Sequence, residues 1–551
     1  MFASLSLLAS NLRPTPASLF VVSLLASGLR PVLAATADQW RTRSIYQIIT
    51  DRFALEPGAV VPECNPGDQT WCGGTWNRQG LSSIRQNLDY IENAGFTAIW
   101  ISPVAENYKG PRTPYGDPYH GYWPADVSQL NDKFGTADDL KALSAEVHRR
   151  GMCQVDIVVN NVMSTSLTPD YSTYMLKDQS YYHPYCSIDW SNLTSEQQCW
   201  LGDTVVPLPD LNTENADVAS RYSDWISDLV QTYSVDGLRI DAAKHVKKEF
   251  WPGFAKSAGV FCMGEVFDPA VVYDSNVADY QGDDALDSVL NYPLYYALVA
   301  AFGIPGPQNM SALTTILSQS KTGLGNFLEN QDVPRWHNLS VDSQSLYNAM
   351  TFTFLSDGIP IVYYGQEQGF SGNADPYNRE PLWPSNYTNT TAYQYMTTLN
   401  QLRNFLVNTT DWATENVDVI TSNDRAIAFQ KGKIVTILTN IGSPAQNFTT
   451  IAFKSPWNAG AVTIDVIQCR QFVVASGGYL EVEYTKGGTA VVLAESTFLA
   501  NSGLCSTAID ALHGSTSSQI IAQSSALSGK SAAVEAALLI PLLLLTFSLG
   551  W

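Results

Sequence analysis

Three acidic side chains and one arginine in this chain close short apolar runs, where a charged group is costly unless it is paired or used. They are Asp241, Glu265 and Asp332, with Arg239 two residues before Asp241. Two carboxyl groups roughly 5–5.5 Å apart can open an acetal: one attacks the anomeric carbon of a sugar and the other protonates the departing oxygen. Asp241 and Glu265 end neighbouring runs, which is the right order of spacing for such a pair. Residues two apart on a strand share a face, so Arg239 points with Asp241, and its fixed charge should keep that carboxylate ionised and oriented. Glu265 must carry a proton, and its apolar neighbours Val266 and Phe267 are expected to favour the neutral form. Asp332 is expected to steady the developing positive charge or to grip sugar hydroxyls.

The elements that must hold these groups are legible as eight short apolar runs, at 46–50, 98–103, 152–160, 237–241, 260–265, 287–290, 325–330 and 359–365. Helical patterns such as 140–150 and 218–233 lie between them. Strands buried on both faces and alternating with helices predict an α/β fold, a closed parallel (β/α)8 TIM barrel whose C-terminal strand ends form the active face. The stretch from about 162 to 211, rich in Tyr, Ser and Asp, is too long for a plain crossover and is expected to be a small domain inserted after strand 3. The barrel with this insertion is assigned to 35–415. Apolar runs at 426–430, 434–439 and 489–494 predict a C-terminal antiparallel β-sandwich domain over 416–505. Residues 506–528 turn to Ser, Thr, Ala and Gly and read as a flexible stalk.

The chain has 551 residues, and its 31 basic and 52 acidic side chains leave a net charge of −21, which argues against nucleic acid as a partner. With 45% hydrophobic and only 15% charged residues, wholesale disorder is excluded. Residues 1–34 read as a signal peptide, with an apolar stretch at 17–29 behind Arg13. Near the other end, small residues around Ser528, a polar spacer and an apolar tail match the signal for a glycosylphosphatidylinositol anchor on Ser528, with 529–551 removed. The expected location is therefore outside the cell, tethered to the outer face of the plasma membrane or passed on to the wall. Asn192, Asn309, Asn338, Asn386, Asn389, Asn408 and Asn447 open Asn-x-Ser/Thr sequons. The eight cysteines suit an oxidising compartment. Cys64 is paired with Cys72, Cys186 with Cys199 and Cys469 with Cys505, leaving Cys153 and Cys262 as buried thiols inside apolar runs; no Cys-x-x-Cys occurs.

Three longer segments carry a family resemblance. Gly237-Leu238-Arg239-Ile240-Asp241-Ala242-Ala243-Lys244-His245, Gly264-Glu265-Val266-Phe267 and Phe327-Leu328-Glu329-Asn330-Gln331-Asp332 resemble signature segments of the alpha-amylase family, glycoside hydrolase family 13. Asp156-Ile157-Val158-Val159-Asn160-Asn161 resembles a fourth, and Tyr119-His120-Gly121-Tyr122-Trp123 and Cys199-Trp200-Leu201-Gly202-Asp203 are similar to secreted fungal-type members. The resemblance runs from about Trp40 to Cys505. It implies Asp241 as nucleophile, Glu265 as acid/base and Asp332 as transition-state stabiliser, with Arg239 orienting Asp241. It also implies that His120, Tyr122, Lys244 and His245 line the sugar subsites, with Tyr122 as the platform beneath the reacting ring; Trp123, Asn161, Gln331 and Arg379 are placed with them. A structural Ca2+ is implied between barrel and insertion, on the side chains of Asn160 and Asp210 and the carbonyls of His245 and Gln197; such oxygen donors suit that ion.

Two positions depart from the family pattern. Asn161 and Gln331 stand where the signatures carry histidines that hydrogen-bond the sugar being cleaved. An amide can still donate and accept but cannot become cationic, so electrostatic help to the transition state should fall. With the carboxylates kept, the covalent intermediate remains available and its fate can change from hydrolysis to transfer. A tethered member lacking both histidines resembles the anchored alpha-glucanotransferases of fungal cell walls. The expectation is therefore 4-alpha-glucanotransfer on alpha-1,4-glucan or maltooligosaccharides by a monomer. Hydrolytic alpha-amylase is the alternative, and a non-catalytic glucan-binding wall protein a lesser one.

Overall fold

Eight parallel strands form the centre of the molecule: β1 (Ile45–Ile48), β2 (Ala98–Ile101), β3 (Gln154–Val158), β4 (Gly237–Asp241), β5 (Phe261–Gly264), β6 (Ser288–Val289), β7 (Gly325–Phe327) and β8 (Ile359–Tyr363). Their order is β6-β5-β4-β3-β2-β1-β8-β7, and a parallel bridge from Leu290 to Gly325 joins the two ends into a barrel. This computed structural model describes residues 35–514 apart from 56–63, 78–82, 152–153, 268–276, 278, 304–308, 320–322, 444–448 and 485–489. The leader 1–34, Cys153, Asn447, and everything past 514 including Ser528 lie outside the described residues.

The outer helices follow from amphipathic spacing. In Ala216–Tyr233 the buried side chains Val218, Tyr222, Trp225, Ile226, Leu229 and Val230 recur at three- and four-residue steps. Each such burial contributes roughly 1.5–3 kcal/mol. Asn215 caps the helix by accepting from the Asp217 N–H, and Ser234 in the left-handed region ends it at φ 53°. The register then sets the site: Asp156 pairs with Arg239 across β3 and β4, and Ile240 with Gly264 across β4 and β5. Gly264 is required there, since a Cβ would come within 2.5 Å of Leu286 Cδ1 and 3.0 Å of Ala243 Cβ.

The seventh strand is shorter than its apolar run. It stops at Phe327, and Asn330 folds the chain back by accepting from the N–H groups of Asp332 (2.8 Å) and Val333 (3.0 Å), so Asp332 stands on a turn above the barrel. The inserted stretch is mostly irregular, held by its disulfide, by a Tyr171–Tyr174–Tyr182 cluster and by a bridge from Asn161 to Asp210.

The C-terminal region contains a six-stranded antiparallel sheet, Asp418–Ser422, Ala426–Lys431, Ile434–Thr439, Val491–Glu495, Val462–Asp465 and Arg470–Val473 in spatial order, and a two-stranded sheet of Thr449–Lys454 with Tyr479–Tyr484. Ala428, Val435, Ile437, Ile451, Phe453 and Val482 fill the space between the sheets. The alternate residues Ile427 and Phe429 face the barrel instead, with Phe429 edge-on to Phe352 of helix Ser343–Leu355. One expectation fails here. The stretch read as a stalk from 506 begins with a helix, Ser506–Gly514, pinned by the Cys469–Cys505 disulfide and by buried Ile509.

Candidate active site

The strand ends place three carboxylates around one guanidinium. Arg239 is fully buried and its Nη1 lies 2.6 Å from Asp241 Oδ1 and 3.2 Å from Asp156 Oδ1, while Nη2 lies 2.8 Å from Glu265 Oε2. The ladder continues past Gly264, because the Glu265 N–H donates to the Ile240 carbonyl at 2.8 Å. Asp241 and Glu265 thus occupy adjacent register positions on neighbouring strands. Strands lie roughly 4.8 Å apart, and both carboxylates reach nitrogens of the same guanidinium, which draws the two carboxyl groups together. Ala242, directly after Asp241, takes the left-handed conformation at φ 49° and aims its N–H at Glu265 Oε2, 3.0 Å away. Such a conformation in a non-glycine residue costs about 1–2 kcal/mol, which here is spent on gripping the second carboxylate.

This geometry corrects the expected surroundings of Glu265. Its oxygens meet Arg239, the Ala242 N–H and the Tyr292 hydroxyl (3.2 Å) rather than an apolar wall. Val266 is buried away, and Phe267 leans on Tyr292 with 43% of its surface exposed. The expected effect of Arg239 on Asp241 is only part of the balance. Burial pushes the Asp241 carboxyl well above its usual range, Arg239 opposes this, and the charges of Glu265 and Asp156 add to the rise. Desolvation first and Glu265 second also push Asp332 up.

Asp241, Glu265 and Asp332 line one cavity of about 1010 Å3, together with His120, Tyr122, Trp123, Asn161, Lys244, His245, Gln331 and Arg379. Arg239 lies beneath it. Tyr122 is anchored by its hydroxyl to Asp156 Oδ2 at 2.6 Å, and its backbone N–H donates to His120 Nδ1 at 3.0 Å. Burial pushes His120 well below the usual histidine range, so it is neutral at pH 7. Lys244 pairs with Glu196 at 3.0 Å. Arg379 reaches Asp375 at 3.0 Å and Asp332 at 3.5 Å. Asn161 is buried and its Nδ2 has no partner. The Gln331 side chain accepts from Gln47 Nε2 at 2.5 Å.

Several residues of the site were not singled out from sequence. Asp156 is the foremost: it also accepts from Trp100 Nε1 at 3.0 Å and so ties together Tyr122, Trp100 and Arg239. A charged residue inside the run 154–158 was the available signal. Trp190, 65% exposed, and Tyr115 form part of the cavity rim, and Tyr292 and Glu196 support it. Position in sequence gave no sign of these.

The donor set implied for Ca2+ can be tested against the structure. Buried Asn160 ends the third run, buried Asp210 ends the insertion, and the His245 carbonyl follows β4. One arm of the Asn160 amide lies 3.1 Å from Asp210 Oδ1 and 3.0 Å from the His245 carbonyl, so three oxygen-bearing groups converge. That set fits a hard cation. The Gln197 side-chain Nε2 donates to the Tyr280 hydroxyl at 2.9 Å. No cluster of three His, Cys, Asp or Glu suited to a metal occurs among the described residues.

The three disulfides Cys64–Cys72, Cys186–Cys199 and Cys469–Cys505 are formed, and Cys262 is a buried thiol. Asn192, Asn309, Asn338, Asn386, Asn389 and Asn408 are all exposed.

A closed (β/α)8 barrel with this carboxylate pair at its mouth has the architecture of a glycoside hydrolase. Comparison with known proteins narrows the class. Residues 47–426 match the alpha-amylase catalytic domain and 419–512 match alpha-amylase domain C. The chain is 42% identical to alpha-amylase 2 of Schwanniomyces occidentalis, over 86% of this chain and 94% of that protein. It is 39% identical to alpha-amylase mde5 of Schizosaccharomyces pombe, over 81% and 86%. The structure of an alpha-amylase from Malbranchea cinnamomea superposes with a TM-score of 0.79 at 39% identity, covering 86% of this chain and all of that one. The chain belongs to the alpha-amylase family.

Proposed function

We propose that the protein cleaves alpha-1,4-glucan or maltooligosaccharides with retention of configuration, and that hydrolysis is its principal outcome. The observation that carries this reading is the placement of Asp241 and Glu265 on two nitrogens of one buried arginine, side by side in a single large cavity. Asp241 attacks the anomeric carbon while Glu265 gives its proton to the leaving glycosidic oxygen, producing a glycosyl-aspartate ester and a free glucan end. Glu265 then takes a proton from water, whose oxygen attacks the same carbon and releases Asp241. Asp332 and the amides of Asn161 and Gln331 hold the sugar hydroxyls, and Tyr122 lies beneath the ring. Ca2+ held by Asn160, Asp210 and the carbonyls of His245 and Gln197 would tie the insertion to the barrel. Secretion and a lipid anchor at Ser528 complete the proposal.

The alpha-amylase names of relatives 38–48% identical support hydrolysis over the transfer expected from the motifs. Transfer remains the second reading because of one observation: both positions facing the sugar carry neutral amides, Asn161 and Gln331. Chromatography of products from one defined maltooligosaccharide separates the two. Shorter sugars with rising reducing ends support hydrolysis; chains longer than the donor overturn it in favour of transfer.

A further inference from the structure

We infer that Gln47 is a positioning residue that sets which end of the Gln331 amide faces the substrate. The inference rests on the proposed reading in which Gln331 hydrogen-bonds the sugar being cleaved. Gln47 lies on β1 between Tyr46 and Ile48, only 2% exposed, in a strand whose other residues are apolar or aromatic. An amide buried there is costly unless bonded. Its Nε2 donates to Gln331 Oε1 at 2.5 Å, whereas its own Oε1 has no partner. A core position chosen for stability alone would not leave that oxygen orphaned, because an aliphatic side chain of similar size avoids the penalty.

The backbone of Gln331 is held in place. Its backbone carbonyl accepts from Asn378 Nδ2 at 3.0 Å and Arg379 Nε at 3.2 Å. A half-turn of the side-chain amide exchanges a donor for an acceptor. In the observed arrangement Gln47 occupies the oxygen, so the N–H2 group is what Gln331 presents to the cavity it lines. A sugar hydroxyl that accepts from this group keeps its own hydrogen for an acceptor, and the carboxylate of Asp332 is the next residue in the chain. Gln331 and Asp332 line the same cavity, so a donor and an acceptor are both presented to it.

The test is a double-mutant cycle on the full chain, with kcat, KM and Tm measured for Gln47→Leu, Gln331→Ala and the double variant on one maltooligosaccharide. Gln47→Met serves alongside as a variant closer in length to the native side chain. The Gln47 variants should lose about five- to thirty-fold in kcat/KM, the span of one charge-neutral hydrogen bond and its orientation, with the loss mainly in kcat and with Tm unchanged or higher. In the Gln331→Ala background, Gln47→Leu should have no further effect on kcat/KM. Additive losses, or a Gln331→Ala loss with no Gln47 effect, overturn the positioning role alone. Unchanged kinetics in Gln331→Ala would instead overturn the reading of Gln331 as a sugar-binding residue, and this inference with it.

Discussion

Asp156→Asn is the most informative single perturbation, because it changes a buried charge without changing its shape. Asp156 accepts from the Tyr122 hydroxyl, Trp100 Nε1 and Arg239 Nη1, yet burial outweighs these partners and lifts its carboxyl from 3.8 to about 6. In the unfolded chain the same carboxyl titrates near about 3.9. Below that value both states hold the proton. As pH rises from about 4 through about 6, the unfolded chain releases it first, so the stability associated with neutral Asp156 is lost across that window. Two pH units correspond to about 3 kcal/mol. Asparagine does not titrate and escapes this loss, but its N–H2 meets donors, leaving an unsatisfied contact that costs about 1–3 kcal/mol at every pH. The variant should therefore be clearly less stable than the parent at pH 4 and close to it at pH 7. Asp51 and Glu329, raised by burial to about 6 and about 7, titrate in both proteins and cancel in the difference. Calorimetric Tm values at pH 4, 5, 6 and 7 measure the gap, and a gap that stays constant over that range refutes the argument. At pH 7, loosening Tyr122 and Arg239 should lower kcat by roughly ten- to a hundred-fold, equivalent to about 1.4–2.7 kcal/mol.

Two further outcomes follow from the same geometry. Asp241→Asn should lose turnover by roughly 10⁴-fold or more while still binding maltooligosaccharide in calorimetric titration, since only the attacking oxygen is removed; an active variant would assign the nucleophile elsewhere. Chelation by EDTA should lower the Tm of the parent protein, and Asp210→Asn should start lower and respond less, because ligand binding to the native state alone adds stability. A parent Tm indifferent to EDTA, with Ca2+ restoring nothing, would remove the cation from the proposed site.

What could be read from the sequence was whatever a local pattern encodes. All eight barrel strands fall within or beside the apolar runs, and Gly237–Asp241 coincides with its run, because a strand buried on both faces needs a predominantly apolar stretch. Asp241, Glu265 and Arg239 were visible as charges where such stretches end. Asp156 carries the same kind of signal inside β3, but its meaning depends on the register that sets it beside Arg239, and no pattern within one strand states a register. Glu265 shows the opposite error. Its chain neighbours Val266 and Phe267 suggested an apolar environment, yet side chains adjacent in sequence diverge, and the groups that surround Glu265 come from β4, from the turn after it and from Tyr292. The 506–514 helix was missed for a related reason: small polar residues look mobile until Cys505 is tied 36 residues back and Ile509 finds a core. Gln331 was visible as a departure from the family pattern, but Gln47, 284 residues away, is an unremarked amide in its own segment. Charges at strand ends identify the reacting groups because burying them locally is expensive, whereas a neutral amide such as Gln47 carries no such signal in its own strand and acquires a meaning only from the residue the fold sets against it.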